Sequence, residues 1–394
     1  MRAKIFFGVV FAAASAALAF ACSSSSSGPS DTSGDGGGGD SSTFVLGKAN
    51  GTVGAFSTGP TMPSPRANHC AVATDGYLIV IGGNYKDTTS GNFVSLSSVD
   101  AAKINAADGS IGDWKTIGQT PSPVSSCTAA AHGNTIYLLD GIYDDESAGG
   151  KVYSASIGAD GTLAQFQSIG AMPENSDVYA STAWIDGPDG GETLSVFNSV
   201  LSVALEDDAG FLITDDAGNE TIIDAGALTI LQSPLSGIAW TEAPFLNAFR
   251  GSPELAYSSG FVYAMGGYPG SADGGPPDFP MEVNGAARQS TSLGASFSTT
   301  ALPMATMFGQ AVAVDGFVFV VGGRDDIFSG TPRADVISAP IDADGSIGGW
   351  ATQTSMPEPR TNGRVVSYGN FMYVTGGGND GPGLDSVFIA RVRF

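Results

Sequence analysis

Positive charge is scarce in this chain: 16 Lys and Arg stand against 39 Asp and Glu in 394 residues, a formal charge of -23. Phosphate binding needs clustered cations, so this balance excludes a nucleic-acid partner. It equally excludes docking of the folded body onto an anionic membrane surface. Histidine is scarcer still, with only His69 and His132, and there are three cysteines, Cys22, Cys70 and Cys127. No apolar run reaches the roughly 20 residues of a membrane-spanning helix, and no helical period sustains itself in the body of the chain. Charged residues are 14%, far below the roughly 25% of an average soluble domain, while the 56 glycines are about twice the usual share. That combination reads as a turn-rich all-β protein. A hydrophobic content of 42% is enough for a sizeable core and excludes wholesale disorder.

The N-terminus reads as an address. Arg2 and Lys4 precede the apolar run Ile5–Ala21, which has the form of a secretory signal peptide over residues 1–21. The segment Leu18-Ala19-Phe20-Ala21-Cys22 resembles a bacterial lipoprotein signal, which implies lipidation of Cys22. Leu18 lies one place farther from the cysteine than that family prefers, and Ala19-Phe20-Ala21 also fits ordinary cleavage, leaving free secretion as the alternative. Residues 22–43 are dominated by Ser, Gly and Asp, a composition that behaves as a flexible tether. The expectation is an extracytoplasmic lipoprotein of the outer membrane or cell surface, touching the membrane only through its lipid.

From residue 44 to 394 the sequence repeats. Tyr77–Ile81, Phe261–Met265, Phe317–Val321 and Phe371–Thr375 are apolar runs closed by Gly82-Gly83, Gly266-Gly267, Gly322-Gly323 and Gly376-Gly377. Weaker copies end in Asp140-Gly141 and Phe197-Asn198. Tight-turn pairs such as Asp75-Gly76, Gly133-Asn134 and Asp315-Gly316 precede the runs, as expected of hairpins. Downstream of the runs come Asp-Gly turns and an aromatic: Trp114, Phe166, Trp240, Phe297 and Trp350. Six units follow one another at 54 to 58 residues, with one longer gap that points to an insertion around 206–232.

This pattern resembles the kelch repeat, in which a hydrophobic run, a glycine doublet and a later aromatic build one propeller blade. The resemblance implies a six-bladed kelch-type β-propeller. The last unit lacks its aromatic-bearing strand, which Gly51–Phe56 supplies from the other end, so the N-terminal strand is expected to complete the last blade.

Chemistry is thinly represented. The two histidines are placed near opposite ends of inner strands and cannot share a metal. Galactose oxidase, a kelch-type propeller enzyme, needs a histidine and tyrosine copper set that cannot be assembled here. Asp342-Ala343-Asp344-Gly345-Ser346 has the start of a calcium loop but no terminal glutamate, and the same turn recurs at Asp108-Gly109 and Asp160-Gly161, as strand-joining chemistry does. No metal or cofactor is expected. Cys70 and Cys127 lie at matching places in neighbouring blades, each six residues before a hairpin glycine. They form either a disulfide or two buried thiols, and a thiol count on unfolded protein separates the two.

Arg66, Arg250, Arg324 and Arg360, with Arg364 close behind, fall in loops expected on one face of the ring. They have two readings. One is a clamp for a carboxylate, similar to the bacterial sialic-acid mutarotase, an exported six-bladed kelch protein handling an acidic sugar. The other is structural bridging, since Pro65-Arg66 and Pro359-Arg360 match a pair common in kelch repeats; Asp87, Asp144, Asp145, Glu146, Asp325 and Asp326 on the same face would also neutralise a cationic ring. The favoured expectation is a monomeric, non-catalytic binding module using loops 84–98, 142–150, 268–281 and 324–334 to contact a glycan or protein. The alternative is a carbohydrate-active enzyme at the arginine-bearing mouth.

Overall fold

The computed structural model describes residues 51–393 apart from 146–148, 174–181, 187–191, 200–202, 205–221, 224–227, 247–249, 251, 268–280, 288–292, 326–329 and 379–381. Cys22 and the expected signal and tether lie outside the described residues, as do most of loop 268–281 and part of 324–334.

The chain is an all-β, six-bladed propeller. Blade one runs, from the centre outward, Cys70–Thr74, Tyr77–Ile81, Ser98–Lys103 and Lys115–Gln119. Blade two repeats this as Thr128–His132, Thr135–Leu139, Lys151–Ser156 and Gln167–Ala171, and blade three as Ala183–Asp186, Thr193–Ser199, Leu228–Pro234 and Thr241–Leu246. Blade four is Glu254–Ser258, Phe261–Met265, Val283–Ala287 and Phe297–Ser298; blade five is Gln310–Val314, Phe317–Val321, Val336–Pro340 and Ala351–Thr352. Blade six takes Arg364–Tyr368, Phe371–Thr375 and Val387–Arg393 from the end of the chain. Its outer edge comes from the start: Thr52 and Val53 pair with Arg393 and Val392, and Ser57 and Thr58 with Ile389 and Phe388.

The second strands are apolar along their length because both sheet faces are covered by neighbouring blades. Those faces fill the seams: Phe317, Phe319 and Val336 of blade five pack with Val365, Met372 and Phe388 of blade six. The insertion in blade three ends earlier than expected. Leu228–Pro234 is the blade's third strand, in register with Thr193–Ser199, while Val203–Ala204 and Ile222–Ile223 pair as a separate small ladder.

The glycine doublets explain how blades approach so closely. Gly322 and Gly323 have φ of 68° and 91°, and a Cβ on Gly322 would sit 2.6 Å from the Arg360 carbonyl of the next blade. Gly323 N–H donates to that same carbonyl at 3.0 Å, and Gly83, Gly267 and Gly377 do likewise to Val124, Thr306 and Arg66, each at 2.8 Å. Only a residue without a side chain permits both the left-handed turn and this approach.

Candidate functional site

Each described blade-to-blade loop delivers a residue in the left-handed region just before the inner strand: Asn68, Ser126, Ser252, Phe308 and Asn362, with φ between 46° and 56°. Their backbones are joined in a chain around the ring. Ser126 N–H donates to Asn68 O at 2.7 Å, Asn68 to Asn362 at 3.0 Å, Asn362 to Phe308 at 2.9 Å and Phe308 to Ser252 at 3.3 Å. Five side-chain-bearing residues held at positive φ constrain the backbone of this mouth.

The arginines expected at this mouth divide. Arg66 is fully buried; it donates to Gly82 O at 3.0 Å and Ser98 Oγ at 3.2 Å, and pairs with buried Asp100 at 2.5 Å. Arg250 donates to Gly266 O, Glu282 and Asn284. Arg360 donates to Gly376 O at 2.9 Å and Ser386 Oγ at 3.1 Å, with its guanidinium 4.2 Å from the Phe388 ring centre. In all three the arginine lies sixteen residues before the first glycine of its own doublet and staples that glycine to the third strand. Burial lowers all three pKa values, Arg360 to about 10, while Asp100, Glu282 and Glu358 act in the opposite sense. These groups turn into their blades and do not converge on a common point. Arg324 is half-buried and follows its doublet, with its backbone bridged to Met307; Thr306 occupies the stapling position of its blade.

A different set of residues lies over the central cavity. Arg364 opens the inner strand of blade six and reaches across the mouth, donating from Nε to His69 O at 2.6 Å, from one terminal nitrogen to Gln310 Oε1 at 2.9 Å and from the other to Cys127 O at 3.2 Å. It thus ties blades six, one, five and two together, and burial alone pushes its pKa down to about 10. Beside it, His69 Nε2 meets Thr375 Oγ1 at 2.8 Å. Burial, then Arg66, Arg364 and Arg360, hold the His69 pKa well below the usual value, so the ring stays neutral. Glu254 opens the inner strand of blade four and accepts from Gly309 N–H at 2.9 Å and Thr306 Oγ1 at 3.3 Å. Its other oxygen is buried without a partner, and burial raises its pKa to about 8. Cys70 and Cys127 are joined to each other, with Cα atoms 5.6 Å apart. A common logic links these contacts. The residue opening one inner strand grips the residue preceding the next: Cys70 to Cys127, Glu254 to Gly309, Arg364 to His69.

Below this lid is a cavity of about 410 Å³, lined by Ala71, Ala73, Ala129, Ala131, Ala311 and Ala313 among others. The inner strands are the edge strands of their sheets, and their small side chains leave the space at the axis open. His132 stands at the opposite, hairpin end of its strand and pairs with Glu192 at 2.7 Å, both side chains about half exposed. Among the described residues no group of three or more His, Cys, Asp or Glu could hold a metal ion.

Sequence reasoning placed Arg66, Arg250, Arg324 and Arg360 at the mouth with Arg364 close behind, read His69 only as an inner-strand histidine unable to share a metal with His132, and passed over Glu254 and Gln310. The available signal was a lone polar residue opening a small, apolar inner strand, as in Glu254-Leu255-Ala256 and Arg364-Val365-Val366.

No protein-family model and no curated protein matches the chain. Among solved structures it is similar to YjhT, with a TM-score of 0.54 at 12% identity, over 85% of this chain and 99% of that one. At this identity the likeness concerns the fold alone.

Proposed function

We propose that the chain is a kelch-type propeller, exported and held at the cell envelope through a lipidated Cys22, that works as a non-catalytic binding module for a glycan or protein. The observation carrying this reading is an exposed apolar group on the doublet face. The hairpin Asn84–Lys86 with Phe93–Ser95 holds up Phe93, 69% exposed, and Val94, while Ile142, 44% exposed, stands on the corresponding loop of blade two. Loops carried on a rigid scaffold are suited to binding, and an aromatic fixed on a hairpin presents contact area at little entropic cost. Thr52 pairs with Arg393 at the hairpin end of blade six, the end of the sheet opposite its glycine doublet. The alternative, an acidic-sugar epimerase or mutarotase, requires Arg66, Arg250, Arg324 and Arg360 to meet one ligand, and three of them are bonded within their own blades.

The test is a glycan array probed with the whole protein, followed by titration of the best glycan. Phe93→Ala is expected to weaken that binding at least tenfold with an unchanged melting temperature. NMR detection of catalysed anomeric exchange on a sialic or uronic acid would replace this reading with the enzymatic one.

A further inference from the structure

Blade three differs from blades four and six at one register position. The third residue of the second strand is Tyr263 in blade four and Tyr373 in blade six. Each hydroxyl donates to a turn of the next blade, Tyr263 to Gly345 O and Tyr373 to Gly109 O, both at 2.9 Å. In blade three that residue is Ser195, too short to reach across, and its Oγ is buried without a hydrogen-bond partner.

The cross-strand neighbours of Ser195 share this condition. Trp184 is opposite it on the inner strand and Gln232 opposite it on the third, and directly opposed residues project from one face of a sheet. Trp184 Nε1 and both amide atoms of Gln232 are buried and unpartnered too. This face looks toward blade four. Trp184 stacks on Tyr257 with ring centres 4.7 Å apart and planes 9° apart, and packs with Leu255, Val262 and Ala264. A row of polar groups is therefore pressed against a largely apolar wall. Buried polar groups are normally hydrogen-bonded, and one left without a partner is disfavoured relative to its hydrated state. Hydration of this row rewards separation of the two sheets. Trp184 and Tyr257 also line the central cavity, so the row begins at the cavity wall.

We propose that the seam between blades three and four opens reversibly, ahead of global unfolding, admitting water to Trp184, Ser195 and Gln232. At the inner rim, Thr182 Oγ1 donates to Leu255 O at 3.1 Å and Tyr257 donates to Asp186, which keeps the inner strands together while the outer parts of the sheets part.

Hydrogen exchange followed by mass spectrometry on the whole protein tests this. Amides of Thr193–Ser199 and Leu228–Pro234 should exchange at least tenfold faster than those of Phe317–Val321 and Phe371–Thr375. Gln232→Leu should slow the blade-three amides at least tenfold and raise the melting temperature by about 2 °C; Ser195→Ala should act in the same direction. Equal protection of all second strands in the unaltered protein would overturn the proposal, as would unchanged or faster blade-three exchange in Gln232→Leu.

Discussion

The arginines of this protein show how one residue type serves structure when its surroundings are repeated. Arg66, Arg250 and Arg360 each find a glycine carbonyl sixteen residues ahead and polar groups at the start of the third strand. A guanidinium offers five donors in a rigid fork, so one side chain satisfies the carbonyl exposed by a tight turn and holds the adjacent strand. The sequence made these arginines visible, but it could not tell whether they face inward or outward, because that depends on acceptors such as Asp100, thirty-four residues away. Glu254 yields a prediction at the same scale. Its folded pKa of about 8 lies above its value near 4.5 in the unfolded chain, so the folded state holds the extra proton between those values. Stability is then greatest below about pH 4.5 on this account, falls as pH rises toward 8, and is flat above. At about 1.4 kcal/mol per pKa unit, the whole effect is on the order of a few kcal/mol. Glu254→Gln should remove this slope, which chemical denaturation at pH 5, 7 and 9 will show.

At the scale of the strand and turn, the glycine doublet was the most legible element, because both its φ values and its neighbour's approach demand the absence of a side chain. Gly322→Ala is expected to destabilise the protein by about 2–4 kcal/mol, read from denaturant unfolding, since Arg360 O cannot move without breaking its bond to Gly323. Blade two shows what replaces the doublet: Asp140 itself adopts φ of 41°, and its carboxylate accepts from Gly150 N–H at 3.0 Å. The cysteines were less legible. Counting to the hairpin glycine made Cys70 and Cys127 equivalent, but blade one turns on Asp75-Gly76 and blade two on Gly133-Asn134, with glycine in different places. Cys70 therefore opens its strand while Cys127 precedes its own, and this offset of one places each against the other. The blade-three row was illegible for a related reason: Trp184, Ser195 and Gln232 are distant in sequence and meet only through register.

For the molecule as a whole, the decisive feature is that the ring closes with strands from both ends of the chain. It was readable in advance because one unit lacked its outer strand and the other end offered an unpaired one. Removing residues 43–58 exposes the edge of Val387–Arg393 and strips Val53 and Phe56 from the blade-six core. The truncated chain should lose its cooperative thermal transition, or melt at least 10 °C lower, by circular dichroism; a normal melt would mean that the clasp contributes nothing to the fold.

The same clasp determines how the protein meets mechanical load. Tension on the chain ahead of Gly51 reaches the ring first at Gly51, whose carbonyl accepts from Ser338 Oγ of blade five, and at Thr52 and Val53 on blade six, then at Ser57 and Thr58. Rupture therefore starts at the strand that joins the ring to whatever pulls on it, with blades five and six bearing the first strain through Ser338, Gln353 and the strand Val387–Arg393.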